Sequence, residues 1–150
     1  MKETFAIIGC GRLGTALARY LPDVGYKPAG FASRSLSSAK RAAEAAGANV
    51  PVSMLPWEVS GTAGIVMITT PDGAIKETAD KLAEYEGLRP GAVVLHCSGA
   101  LPSSELGALR KIGARLGGFH PLQSFSAESL EQNPFSGIMV ALEGDRQAVE

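Results

Sequence analysis

The chain has 150 residues, 45% of them hydrophobic and 19% charged, with a formal net charge of −1. That is enough chain for one domain with a real core, and its composition suits a soluble, glycine-rich α/β protein rather than a disordered one. No basic block is present, which argues against a nucleic-acid partner or an anionic membrane, and no apolar run approaches the roughly 20 residues of a membrane span. Cys10 and Cys97 lie far apart and offer neither a disulfide framework nor a zinc spacing. Met1-Lys2-Glu3 leads straight into the first element and leaves no room for a signal peptide, so the expected setting is reduced and cytoplasmic.

The first element is a buried strand over residues 4–8, where Phe5, Ala6, Ile7 and Ile8 form an apolar run closed by glycine. From Leu13 the period changes: Leu13, Ala16, Leu17, Tyr20 and Leu21 share one face of a helix that stops at Pro22. A second strand spans 27–33, and Ser35 or Ser37 can cap a helix carrying Ala39, Ala42, Ala43 and Ala46. A short third strand falls near 49–52, followed by a connector with one helical turn at Pro56-Trp57-Glu58. Residues 64–69 are the clearest buried strand, and Asp72 is placed to cap the helix after it. That helix has Ile75, Ala79, Leu82 and Ala83 inside, with Lys76/Asp80 and Glu77/Lys81 as i,i+4 pairs on a solvated outer face.

A fifth strand covers 92–97, and Pro102 suits the first turn of a helix reaching Lys111. A sixth strand at 114–119 leads into His120-Pro121-Leu122-Gln123-Ser124-Phe125. A last strand at 138–142 precedes a helix start at Gly144-Asp145-Arg146. Strands alternating with helices at this spacing predict a doubly wound, mostly parallel sheet with helices on both faces. In such sheets ligands bind at the carboxyl ends of the strands, so the loops at Gly9, Ser33, Thr69, Cys97 and Phe119 converge on one crevice.

The first of those loops, Gly9-Cys10-Gly11-Arg12-Leu13-Gly14, has the glycine spacing of a dinucleotide loop in its required strand-to-helix context. Gly9 permits the tight turn, Gly11 lets a pyrophosphate approach the backbone, and Gly14 lets the helix lie close to the strand. The amide groups of the helix's first turn then face the phosphates. A glycine turn without a ligand is the competing reading.

About 20 residues beyond the glycines, an NAD-preferring site carries a carboxylate that binds the adenosine ribose. This chain has Ser33-Arg34-Ser35 there instead. A guanidinium and two hydroxyls suit a 2′-phosphate, which a carboxylate would repel, so the expected cofactor is NADP. Arg12 is a second candidate phosphate contact. The missing acid also weighs against an adenosylmethionine site. For Arg34 the bland alternative is an exposed loop arginine.

His96 and His120 both lie at predicted strand ends on the ligand side. Histidine is the usual proton shuttle near neutral pH, and oxidation of a hydroxyl or amine needs a base beside the carbon that gives up hydride. His120 lies in a loop and is the candidate catalytic group, with Gln123, Ser98 and Ser124 as candidate substrate hydrogen-bonders. His96 directly ends an apolar strand and reads as a buried structural histidine. Neither cysteine has a sequence-level activator, so both read as packing residues.

Four segments together resemble a known family: the glycine loop, Thr70-Pro71-Asp72, His96-Cys97-Ser98-Gly99-Ala100, and Phe119-His120-Pro121-Leu122-Gln123-Ser124-Phe125. They look like Rossmann-like proteins of unknown function, grouped with pyrroline-5-carboxylate reductase, 6-phosphogluconate dehydrogenase and the deazaflavin-dependent NADP oxidoreductases. The resemblance implies an NADP-binding domain over nearly the whole chain, with Thr70, Pro71 and Asp72 beside the cofactor. It further implies a following helical domain that helps form the substrate site and a homodimer; the chain ends at Glu150, where that domain would begin. The leading expectation is the cofactor domain of an oxidoreductase acting on a small polar substrate. A non-catalytic NADP(H)-sensing module and a prephenate-dehydrogenase-like oxidative decarboxylase are the alternatives.

Overall fold

The computed structural model describes residues 2–125 and 132–150. Its elements in chain order are β1 (Thr4–Ile8), α1 (Arg12–Tyr20), β2 (Lys27–Ala32), α2 (Leu36–Ala45), β3 (Val52–Ser53), α3 (Trp57–Ser60), β4 (Ile65–Ile68) and α4 (Asp72–Glu84). β5 (Val93–His96), a 3₁₀ helix (Ser103–Ile112), β6 (Arg115–Pro121), β7 (Val140–Gly144) and α5 (Arg146–Val149) follow. Among the described residues the strands form one sheet in the order β3-β2-β1-β4-β5-β6-β7. β1 to β6 run parallel and β7 returns antiparallel to β6.

Period-two alternation explains how one sheet is covered on both faces. In β1, Phe5 and Ile7 join a core cluster with Leu17 of α1, Phe31 of β2 and the α2 alanines Ala39 and Ala42. Ala6 and Ile8 point the other way, into a cluster with Ile75 and Leu82 of α4 and Leu106 and Leu109 of the 3₁₀ helix. β4 divides likewise, with Met67 on the first face and Val66 and Ile68 on the second. Adjacent strands must be apolar throughout when both faces are buried, which is why the strand at 64–69 shows no polar alternation.

Several sequence expectations shift at the element ends. The third strand begins at Val52 rather than near Asn49, because Pro51 has no amide to donate and serves instead as acceptor for Phe31 N–H at 3.0 Å. Pro71, not Asp72, holds the cap position of α4; its ψ of 150° is extended, and Asp72 becomes the first helical residue. A carboxylate there still meets the positive end of the helix dipole. Pro102 likewise stands before the helix with ψ 161°, and the segment from Ser103 winds as 3₁₀ rather than α. The last strand falls at Val140–Gly144 rather than at 138–142, in register with Gly117–Pro121 of β6. Ser35, as one of two expected caps, starts α2 by accepting Ser38 N–H at 3.4 Å. Ion pairing on α4 is mixed: Lys76 meets Asp80 at 2.8 Å, while Lys81 turns to Glu84 at 3.4 Å instead of Glu77.

Two carboxylates fasten the last strand. Glu143 accepts the Ser103 amide and the Ser103 hydroxyl, the latter at 2.9 Å. Asp145 accepts both Arg110 nitrogens at 3.0 Å and Leu116 N–H at 2.8 Å. The Arg110 hydrogen bond, then the Leu116 amide, lowers the Asp145 pKa below its ordinary 3.8. A depressed carboxylate stabilises the fold fully above its unfolded pKa and loses that contribution as pH falls through the folded one. Asp145→Asn is therefore expected to be less stable than the parent in urea titrations at pH 7. The gap should close as the pH drops below about 4; an equal gap at both pH values would contradict it.

Candidate functional site

The carboxyl ends of β1 and β4 meet where the strand order reverses, and a cleft of about 740 Å³ opens there. Its floor is the turn after β1. Gly9 holds φ +98°, and a Cβ there would lie 2.6 Å from the Thr70 amide nitrogen, so only glycine makes this turn. At Gly14, on α1, a Cβ would collide with the Gly9 carbonyl and come within 2.8 Å of Thr69 Oγ1. Gly11 differs: a Cβ there would meet nothing within 4 Å and would project into open space. Three glycines at one spacing thus have three separate geometric reasons.

Around this floor the cleft is lined by Gly9, Gly11, Ser33, Arg34, Ser35, Thr70 and Pro71. The other loop candidates stand behind it. Arg12 is exposed at the start of α1, Leu13 packs against the core, Gly14 is buried, and Asp72 is exposed at the start of α4. Two of the serines have work of their own. Ser33 Oγ accepts Cys10 N–H at 3.3 Å and ties the end of β2 to the glycine turn. Ser35 Oγ caps α2 and lies 2.6 Å from Ser37 Oγ. Arg34 is exposed on the rim.

Sequence reasoning missed the opposite wall. Ala74, Glu77, Thr78 and Lys81 of α4 line the cleft, as do Met54, Leu55, Pro56 and Trp57 before and in α3; Ser38 of α2, beside Arg34, also lines it. The first four recur at i, i+3, i+4 and i+7, a second stripe beside the buried Ile75–Ala79–Leu82 stripe, and that spacing was the available signal. Glu77 and Lys81 therefore face a cavity rather than bulk solvent alone. Trp57 stacks on Tyr85 with ring centroids 4.0 Å apart and 15° between planes. The protein has one tryptophan, so the cleft's lining carries its single indole fluorophore.

The cleft's chemistry fits a dinucleotide. Gly11 leaves room for a phosphate against the backbone, α1 has no acidic residue in its first turn, and Arg34 supplies positive charge at the end of β2. Among the described residues, Thr70 Oγ1 is a buried hydroxyl without a hydrogen-bond partner, beside the glycine turn. An orphaned buried hydroxyl costs roughly 1–3 kcal/mol, which a ligand oxygen would recover.

The second group of candidates lies further along the same sheet edge. His96 ends β5 and is fully buried; its Nε2–H donates to the Pro102 carbonyl at 3.0 Å and its Nδ1 accepts Ser98 N–H at 3.1 Å. His120 sits near the end of β6, half-buried, with Nδ1 3.3 Å from the Cys97 carbonyl and its ring flat on Gly99. Ser98 Oγ accepts the amides of Ala100 and Leu101 at 3.1 and 3.2 Å, closing the turn between them. Gln123 and Ser124 are exposed beyond β6. None of these residues lines the cleft. Burial pushes both cysteine thiols up to about 12, so Cys10 and Cys97 remain protonated and unreactive near neutral pH.

Residues 2–121 match the model of a family described as a Rossmann-like domain. The chain belongs to the Rossmann-like domain family. It is similar to glycerol-3-phosphate dehydrogenase [NAD(P)+] of Moorella thermoacetica, 33% identical over 112 residues, covering 67% of this chain and 32% of that protein. Among solved structures it resembles BF3122 of Bacteroides fragilis, provisionally assigned as an NADP oxidoreductase, with a TM-score of 0.82 at 25% identity. That match covers 99% of this chain and 54% of the other. Synechocystis arogenate dehydrogenase shares the fold with a TM-score of 0.76 at 23% identity, over 97% of this chain and 51% of that one. The Rossmann-like chain thus spans about half the length of these solved structures and about a third of the glycerol-3-phosphate dehydrogenase. Among the described residues, no helix is long and apolar enough to cross a membrane.

Proposed function

We propose that this Rossmann-like domain binds NADP(H) in the cleft and forms the cofactor half of an oxidoreductase acting on a small polar substrate. The observation that carries the reading is the cleft's charge at the end of β2: Arg34 stands among Ser33, Ser35 and Ser38 with no carboxylate beside it on that strand end. Gly9, Gly11 and the first turn of α1 would hold the pyrophosphate, Thr70 and Pro71 would flank it, and Arg34 would fork onto the 2′-phosphate. The nicotinamide supplies or accepts hydride when the cofactor is bound. His120, with Nδ1–H given to the Cys97 carbonyl, keeps its Nε2 lone pair to take a proton from a substrate hydroxyl or amine, or, when protonated, to return one. Ser98, its oxygen already accepting two amides, retains a hydroxyl proton to donate, and Gln123 offers an amide.

Titration of NADPH and NADH against Trp57 fluorescence tests the cofactor. NADPH is expected to bind more tightly. Arg34→Ala should weaken NADPH about 10- to 100-fold, the worth of a charge-assisted contact of roughly 1.5–3 kcal/mol, and leave NADH nearly unchanged. Equal losses for both would remove the phosphate role of Arg34, and no binding of either would overturn the cofactor reading.

A further inference from the structure

His96 is a buried, fully hydrogen-bonded imidazole that the proposed chemistry does not use. Its two contacts fix its tautomer. A carbonyl oxygen can only accept, so the nitrogen facing Pro102 O at 3.0 Å bears the proton; an amide can only donate, so the nitrogen facing Ser98 N at 3.1 Å bears none. The same logic applies to His120, whose Nδ1 faces the Cys97 carbonyl at 3.3 Å and must be its donor.

Cys97 C=O and Ser98 N–H belong to one peptide group. The two histidines are therefore joined through it in a single head-to-tail chain. His120 Nδ1–H donates to Cys97 C=O, Ser98 N–H donates to His96 Nδ1, and His96 Nε2–H donates to Pro102 C=O. We infer that His96 is a positioning residue for His120, acting through the Cys97–Ser98 peptide to hold the His120 ring in its Nδ1–H tautomer with Nε2 as the proton-accepting atom. This rests on the reading of His120 as the acid/base group.

The physical reason is polarisation. A peptide N–H that donates leaves its carbonyl oxygen more negative, so accepting Ser98 N–H at His96 strengthens Cys97 O as an acceptor for His120. Geometry adds to it. The peptide is clamped on both sides, because Ser98 Oγ closes the following turn and Gly99 lies flat beneath the His120 ring. An apolar residue at 96 would keep the strand's packing but leave Ser98 N–H without its acceptor, freeing the peptide to rotate.

The test is the ring-nitrogen NMR signature of both histidines in the 150-residue chain, a readout that does not depend on turnover. In the parent protein His120 is expected as the Nδ1–H tautomer and His96 as the Nε2–H tautomer; the opposite form of either ring overturns the proposal, whatever any variant does. His96→Leu should move His120 toward the mixed tautomers of an unconstrained histidine, while His96→Asn, whose side-chain oxygen can accept Ser98 N–H, should preserve the parent pattern. A folded His96→Leu with an unaltered His120 signature, or a His96→Asn that loses it, makes His96 a packing residue only. A catalytically silent His120 would be seen separately, as an unchanged rate in His120→Ala.

Discussion

Gly14→Ala is expected to lower the thermal midpoint by several degrees, about 2–12 °C, whereas Gly11→Ala, three residues away, should leave it nearly unchanged and weaken NADPH at least about tenfold. Helix propensity alone predicts the reverse order for Gly14, since alanine improves a helix interior by roughly 1 kcal/mol. Space decides against it. The added methyl would press on the Gly9 carbonyl and on Thr69 Oγ1, and the carbonyl is backbone that no rotamer change can move. Either α1 lifts from β1 or the turn opens, an overpacking cost of typically 1–3 kcal/mol and occasionally more. For a domain of this size each kcal/mol is worth roughly 2–4 °C. At Gly11 the backbone φ of −80° suits alanine and the methyl meets no protein atom, so stability should change by less than about 1 kcal/mol. It occupies instead the space proposed for the pyrophosphate. Calorimetry with a parallel NADPH titration separates the two effects. A Gly11→Ala variant that binds NADPH as tightly as the parent would show that no phosphate passes over that residue.

The unbroken apolar run from Phe5 to Ile8 was enough to read a buried strand, and the glycine spacing after it was enough to place the turn. Both are local signals of period and backbone permission. Strand and helix ends were less legible because neighbours set them. Val52 starts its strand where it does because Phe31 needs the Pro51 carbonyl, and Asp72 yields the cap to a proline already extended. The cleft's far wall was harder still. Trp57 comes from a connector with no motif and Lys81 from a helical stripe that reads as a solvated face, and only the fold brings both to the cleft that Arg34 lines. His120 was visible as a candidate but was expected in a loop after a strand ending at 119; β6 instead runs on to Pro121, because its antiparallel partner β7 pairs His120 with Ala141. Its bond to the Cys97 carbonyl joins residues 23 apart in sequence and has no signature in either segment alone.

That separation between the cleft and His120 shapes the remaining prediction. His120→Ala should reduce turnover about 10²- to 10⁴-fold, the usual worth of a positioned acid/base group, while NADPH affinity read from Trp57 stays the same. The affinity should hold because His120 lines no part of the cleft, and its removal leaves the glycine turn, Arg34 and Thr70 untouched. The rate should fall because its Nδ1–H is already committed to Cys97 O, which leaves Nε2 as the ring atom able to exchange a proton with substrate. Gly99→Ala provides the complementary case. A Cβ there would lie 2.7 Å from both Cδ2 and Cε1 of the imidazole, so the ring must tilt without losing its chemistry. Under the proposed oxidoreductase reading, NADPH-dependent turnover should drop in both variants. Only Gly99→Ala should recover when a second change gives the ring room, because it displaces the base and His120→Ala deletes it. An unchanged rate in His120→Ala would assign proton transfer to another group and leave the histidine as a fastening for the turn after β5.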